Sequence, residues 1–293
     1  MERCTLATRT IGLYVDLHRP HARETARAAS RLLSEQGYAV ALPEVQRAQL
    51  ELDVPVGSLD ECAILVSIGG DGTLLRTARL AAAHDVPVLG VNTGRLGFLT
   101  ELEGASELLA ALPRLLQEGF ACEPRIALEA RVNGGDALFA LNEVVVRKGS
   151  SSRLVPFGLW LSGEKVVDIP ADGVIVASPT GSTAYSLSAG GPIVAPGVDA
   201  FCIVPLLPHT LFSRPLVVSA AESVRISVDS TLVHANLETD GEFSRDLSPG
   251  DRVEVERSER PVRFVRVKPP RFFTLIEQKL HWGHSIKEEG RHS

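Results

Sequence analysis

The spacing of apolar positions changes part-way along the chain, and that change divides it. In the first part, short apolar runs alternate with stretches of helical period. Thr10–Val15 reads as a buried strand. Residues 22–36 place Ala26, Ala29, Leu32 and Leu33 on one helical face, and Gly37 is positioned to end that helix. Residues 38–42, 64–68 and 86–91 read as further strands. Residues 73–83 and 106–118 read as helices. Strands alternating with helices predict βαβ units and a parallel, Rossmann-like sheet, whose ligands bind beyond the carboxyl ends of the strands.

From Glu123-Pro124-Arg125 onward the period becomes two. Ile126, Leu128, Ala130 and Val132 alternate with other residues up to Asn133-Gly134-Gly135-Asp136, a hairpin turn, and 137–147 reads as the returning strand. Phe157-Leu159-Leu161 and Val166-Val167 flank a turn at 162–165, and the alternation recurs at 224–228, 253–255 and 262–264. A short helix after Thr183 interrupts this otherwise β-rich stretch. Residues 272–282 return to helical period and are expected to pack back on the first domain; 286–293 read as a polar tail. The expected architecture is an α/β domain of residues 1–122 and 268–293, and a β-rich, sandwich-like domain of 123–267.

Three stretches carry chemistry. The strand 64–68 runs into Gly69-Gly70-Asp71-Gly72-Thr73 and then a helix. Unpaired N–H groups at a helix N-terminus suit phosphate, and glycine lets a ligand come close. The turn Gly69, Gly70, Gly72 and Thr73 is therefore a phosphate-binding candidate. Asp71 is the odd member, because a carboxylate repels phosphate; it suits a hydroxyl, a proton or a metal. A tight strand-to-helix connection with an Asp N-cap is the plainer reading. The second stretch, from Asp172 to Pro192, carries seven Ser, Thr and Tyr hydroxyls between Ser178 and Ser188. That inventory suits a sugar or nucleotide better than an acyl group. The third is Asn142-Glu143 inside a strand run, where adjacent side chains face opposite ways, so that one can face inward.

Composition narrows the classes. The 293 residues are 44% hydrophobic with a net charge of −6, and no long basic run points to nucleic acid. Cys4, Cys62, Cys122 and Cys202 lie far apart with no C-x-x-C pair, which suits a reducing cytoplasm. No apolar run approaches the ~18 residues of a membrane span.

Gly69-Gly70-Asp71-Gly72-Thr73, Asn92-Thr93-Gly94 with Leu96-Gly97-Phe98, Asn142-Glu143, and the run from Asp172-Gly173 through Pro179–Tyr185 to Gly190-Gly191-Pro192 occur in one order. Together they resemble the NAD kinase family, over most of the chain from about Ile11 to Trp282. The glycine-Asp turn alone is shared with lipid kinases; the 172–192 motif is more specific.

The resemblance implies transfer of the γ-phosphoryl of ATP, or of another donor such as polyphosphate, to the 2′-hydroxyl of the adenosine ribose of NAD, giving NADP. It implies that Asp71 accepts the hydroxyl proton, Gly72 lies beside it, and Phe98 packs near the adenine. Arg76, one helical turn on, can balance phosphate charge. Asn142 and Glu143 hold the adenosine part. Thr183, Ala184, Tyr185, Ser186, Leu187 and Ser188 form the NAD loop, with Asp172 at the nicotinamide end. Arg153 fits a position for a basic contact. Pro170 stands where many relatives carry a basic residue, and Glu242 where Gln is frequent. A divalent cation, Mg²⁺ or similar, is expected on the nucleotide phosphates rather than in a protein cage. The family assembles as homodimers or homotetramers, so a neighbouring subunit can complete the site around Asp172. A lipid kinase and a non-catalytic NAD-binding sensor are the other readings. Neither a basic nor an amphipathic membrane-docking stretch supports the first, and retention of Asp71 counts against the second.

Overall fold

The computed structural model describes residues 2–4, 6–94, 97–150, 155–210, 213–229, 234–269 and 271–282. Arg95 and Leu96 of the second glycine-bearing turn, Arg153, and the tail 286–293 lie outside the described residues.

The first domain contains, in chain order, β1 (Glu2–Cys4), β2 (Thr10–Val15), α1 (Pro20–Glu35), β3 (Ala39–Ala41), α2 (Glu44–Leu50), β4 (Cys62–Gly69), α3 (Asp71–Ala83), β5 (Val88–Asn92), β6 (Leu102–Glu103), α4 (Gly104–Glu118) and β7 (Phe120–Arg125). The second contains β8 (Leu128–Val132), β9 (Leu138–Ala140), β10 (Glu143–Lys148), β11 (Val155–Leu161), β12 (Glu164–Ala171), β13 (Gly173–Ala177), α5 (Tyr185–Ser188), β14 (Ala200–Leu206), β15 (Leu216–Ser219), β16 (Val224–Val228), β17 (Ala235–Thr239), β18 (Glu242–Leu247) and β19 (Arg252–Arg257). β20 (Val262–Arg266) and α6 (Phe272–Leu280) follow.

The first sheet runs β1-β7-β20-β5-β4-β2-β3, with β6 beside β5. β2 to β6 and the β20–β5 pair are parallel, whereas β7 is antiparallel to β1 and β20. The sheet is mixed, a refinement of the all-parallel expectation. Alternation along β4 explains how it is covered. Ile64, Val66 and Ile68 pack under α1 and α4 with Ala26, Leu33, Leu108 and Leu112. Leu65 faces the other way, onto Leu74 and Ala78 of α3. On that same side the Thr77 hydroxyl donates to Ser67 Oγ at 2.9 Å.

The β-rich half is a sandwich of two antiparallel sheets, β15-β14-β13-β10-β17-β18 and β12-β11-β16-β19-β8-β9. Val144, Val146, Val174, Val176 and Phe201 of one sheet meet Phe157, Leu159, Ile226, Val253 and Val255 of the other in one core.

Two expectations change. Val262–Arg266 alternates like its β-rich neighbours but pairs with β7 and β5, so the chain has already returned to the first sheet before residue 268. The stretch 137–147 is not one strand. It breaks at Leu141-Asn142, and its halves lie in opposite sheets of the sandwich. At the break, the Leu141 and Asn142 N–H groups donate to the Asp240 carboxylate at 3.0 and 2.7 Å instead of to a neighbouring strand. The hairpin turns behave as read: Asn133 and Gly134 have φ of 50° and 74°, and Ser162 and Gly163 of 45° and 90°.

Candidate active site

α3 begins at Asp71 itself, with Gly70 as its N-cap. The Asp71 carboxylate does not cap its own helix. It accepts hydrogen bonds from Phe98 N at 2.7 Å and Leu99 N at 3.1 Å, tying the two glycine-bearing turns together. A Cβ at Gly97 would overlap that carboxylate, so glycine is what lets the turns meet. Gly69 is buried, whereas Gly72 is exposed on the open side of the turn. The Thr73 hydroxyl lies 3.5 Å from Gly70 N.

Leu74 behind this turn, Leu99 beside it and Leu141 from the sandwich share one apolar cluster. Their packing brings Asn142-Glu143 to the crevice between the domains. Asp240, with φ of 51°, shapes this corner: its carboxylate receives the two N–H groups at the strand break, and its N–H donates to the Glu143 carbonyl at 3.0 Å. Burial pushes the Glu143 carboxyl up to about 8, with the nearby Asp240 carboxylate adding to the rise. A hydrogen bond from the Tyr185 N–H opposes it. Burial also raises Asp240, against the backbone N–H groups and the Arg79 charge that favour its ionised form. The signal for Asp240 in the sequence is the Asp240-Gly241 pair, which forms the turn between β17 and β18.

The hydroxyl-rich loop serves two purposes. Ser178 donates to the Leu141 carbonyl at 2.6 Å, and Ser182 to the Pro179 carbonyl at 2.7 Å; these are structural. A Cβ at Gly181 would overlap the Asn142 carbonyl, so the loop lies against the strand break. Beyond it, the Thr183 hydroxyl donates to the Thr180 carbonyl at 3.2 Å, Ala184 is half-buried, and Tyr185 and Ser188 are exposed. Ser186 is buried and Leu187 half-buried. Asn142 Oδ1, Glu143 Oε2 and Ser186 Oγ are buried atoms with no hydrogen-bond partner, and so are Thr93 Oγ1 and Thr100 Oγ1 beside the phosphate turn. Leaving such atoms unpaired costs about 1–3 kcal/mol each, and they concentrate here.

Phe98 and Thr183 line one cavity of about 240 Å³ between the domains, closed on one side by Phe272 and Leu275 of α6. Lys279 Nζ sits 4.5 Å from the centre of the Phe98 ring, which holds the terminal helix on the first domain. Arg76 and Arg79 of α3 reach across the crevice to Glu242, at 3.0 and 3.5 Å. Glu242 therefore meets two guanidinium groups, a partner set suited to a carboxylate rather than an amide.

Two expected residues stand apart. Pro170 lies at the end of β12 and Asp172 just before β13, whose other end leads to Ser178, about 20 Å from Asp172 at the rise of a strand. Asp172 pairs with Lys148 at 2.6 Å, and the Pro170 carbonyl accepts His209 N at 2.9 Å. The structure brings together Asp71, Gly72, Arg76, Phe98, Asn142, Glu143, 183–188 and Glu242, but not Pro170 and Asp172 within one chain.

A phosphate-seeking turn with a carboxylate at its tip, facing unpartnered acceptors and hydroxyls across a crevice, places the protein among phosphotransferases that act on nucleotides. Models of the ATP-NAD kinase N-terminal and C-terminal domains match residues 11–120 and 141–267. The NAD kinase of Heliobacterium modesticaldum is 42% identical over 284 residues, covering 94% of this chain and 99% of its own. That of Moorella thermoacetica is 39% identical over 285 residues, covering 95% and 91%. Yeast NADH kinase complexed with NADH superposes with a TM-score of 0.84 at 26% identity, covering 97% of this chain and 90% of its own. An NAD kinase from Archaeoglobus fulgidus in complex with ATP superposes at 0.70 and 25% identity, covering 93% and 98%. The chain belongs to the NAD kinase family.

Proposed function

We propose that this enzyme transfers the γ-phosphoryl group of ATP to the 2′-hydroxyl of the adenosine ribose of NAD, releasing NADP and ADP. The observation that carries the reading is the position of Asp71: at the tip of the phosphate turn, bonded to the Phe98 loop, on the crevice that Asn142 and Glu143 face. In this reading the ribose oxygen attacks the γ-phosphorus, the bond to the β-phosphate bridge breaks, and the hydroxyl proton passes to Asp71. Gly69, Gly70, Gly72 and Thr73 present the turn to phosphate. Asn142, Glu143 and 183–188 hold the adenosine half, and Phe98 packs beside its base. Arg76 leaves Glu242 for phosphate when substrate binds. Phosphoryl transfer depends on in-line placement and charge neutralisation more than on covalent help.

A divalent cation carried by the donor nucleotide would supply part of that neutralisation, and Mg²⁺ is the proposed ion. Among the described residues no three His, Cys, Asp or Glu side chains converge as a metal cage. Asp71 at the turn fits a contact to a cation carried by the nucleotide. Asp172 and Pro170 are proposed to serve the nicotinamide end of a site on a second copy, in a homodimer or homotetramer. No helix of the described residues is long and apolar enough to cross a membrane. We assign the reaction to the cytoplasm, which the four free cysteines suit.

The test is a matrix of donors (ATP, other triphosphates, polyphosphate) against NAD, NADH and diacylglycerol, with products separated and quantified. NADP from ATP and NAD is the expected result. No phosphorylated dinucleotide with any donor refutes the reading, and phosphorylation of diacylglycerol alone would favour a lipid kinase.

A further inference from the structure

Outside the residues already assigned, a line of paired charge, buried at Glu101 and Arg125 and half-buried at Arg266 and Glu123, runs through the first domain and ends on the nucleotide loop. Glu101, buried in the first domain, accepts hydrogen bonds from the N–H groups of Val267 and Lys268 at 2.8 and 2.6 Å. Its second oxygen takes Arg266 at 2.9 Å. Arg266 Nε donates to one oxygen of Glu123 at 2.7 Å, and Arg125 Nε donates to the other at 2.6 Å. The guanidinium groups of Arg125 and Arg266 both lie against the Phe264 ring, 5.5 and 5.6 Å from its centre. The last link leaves the first sheet: Arg125 donates to the Thr180 hydroxyl at 3.3 Å, and the Thr180 carbonyl in turn accepts the Thr183 hydroxyl.

A buried arginine is costly unless its donors are taken, and here they are divided between a carboxylate and one hydroxyl. Only a planar fork carries both bonds from one side chain; a lysine offers a single nitrogen on a shorter reach. Arg125 and Thr180 are both buried, at 7% and 5% exposure, on the wall of the cavity that Phe98 and Thr183 also line. Thr180 sits three residues before the loop whose N–H groups and hydroxyls face the crevice.

We propose that Arg125 is a positioning residue for the nucleotide loop: held from behind by Glu123, it fixes Thr180 and so sets where 183–188 meets NAD. The ladder couples the β7–β20 pair to that loop, so the first domain locates the acceptor as well as the donor. The inference rests on NAD being the acceptor held by that loop.

Thr180→Val removes the hydroxyl at nearly constant volume, and Thr180→Ser retains it. With the full chain and steady-state kinetics in both substrates, Thr180→Val should raise KM for NAD about tenfold, the equivalent of 1.4 kcal/mol. KM for ATP should stay at the wild-type value, and Thr180→Ser should restore KM for NAD. Arg125→Lys should raise the same constant, and the double variant Arg125→Lys/Thr180→Val should be no worse than the poorer single one. Should Arg125→Lys fail to fold, the Val and Ser pair at 180 decides alone. An unchanged KM for NAD in Thr180→Val, or an equal rise for NAD and ATP, overturns the proposal. If wild type itself makes no NADP, it is the underlying reading that fails.

Discussion

Replacing Asp71 by Asn tests two roles at once, because the structure gives this carboxylate a bond to each of two backbone N–H groups as well as a place at the phosphate turn. Asn keeps one acceptor oxygen and turns an NH₂ toward the other N–H. One charge-assisted bond is lost outright and the remaining one becomes neutral, a cost of about 2–3 kcal/mol given ~1.5–3 kcal/mol for a bond to a charged group. At about 2–4 °C per kcal/mol, the melting temperature should drop roughly 4–12 °C. Losing a positioned proton acceptor should lower kcat by about 10²–10⁴. Since Phe98 hangs on the same bonds, KM for NAD should rise several-fold rather than stay constant. Calorimetry and a coupled NADP assay give all three readings. A kcat within about threefold of wild type would remove Asp71 from the chemistry, where a positioned base is worth far more. A lost kcat with unchanged melting temperature and KM would leave it as base only and refute its tie to the Phe98 loop.

Other outcomes follow from particular contacts. Glu143, raised to about 8 by burial, holds a proton in the folded state that the unfolded chain releases near its ordinary 4.5. Wild-type stability should therefore fall as pH rises from about 4.5 through 8, by up to ~1.4 kcal/mol per unit. Glu143→Gln lacks that slope, which denaturant titrations at pH 5, 7 and 9 will show. Gly181→Ala drives a methyl into the Asn142 carbonyl and should cost about 1–3 kcal/mol, with a higher KM for NAD as the kinetic sign. Glu242→Gln should change stability by under about 1 kcal/mol, because its ion pairs are half exposed, yet lower KM for ATP by freeing Arg76. Phe157→Ala, fully buried between the two sheets, should cost about 3–5 kcal/mol in a denaturation experiment.

Local features were legible because local chemistry decides them. The run 64–68, its glycine turn and the following helix read directly, as did the Asn133-Gly134 and Ser162-Gly163 hairpins, whose left-handed φ values those residues accept. What alternation cannot reveal is which sheet a strand joins. Val262–Arg266 shows the same period as its neighbours, yet its partners lie far back in the chain. The break at Leu141-Asn142 was hidden because apolar residues flank it on both sides, and its cause, Asp240, is nearly a hundred residues away. Asp172 and Ser178 are close in sequence, but an extended strand between them separates their side chains across the domain. Glu101 and Arg125 look like surface charges until the sheet order brings Glu123 and Arg266 between them.

The placement of β20 has a bearing on how the protein is made. The strand that joins β7 to β5 is synthesised after the whole sandwich, so a nascent chain ending at Arg125 has an open seam where Phe264 belongs. At ~5–20 residues per second that edge stays unpaired for roughly 7 to 30 seconds. During that interval β5 and β7 expose backbone groups able to template the wrong strand. The first domain is therefore not a unit that can be expressed by cutting the chain after β7. Its completion waits on the synthesis of β20, and early termination before Val262 leaves an aggregation-prone fragment rather than half an enzyme.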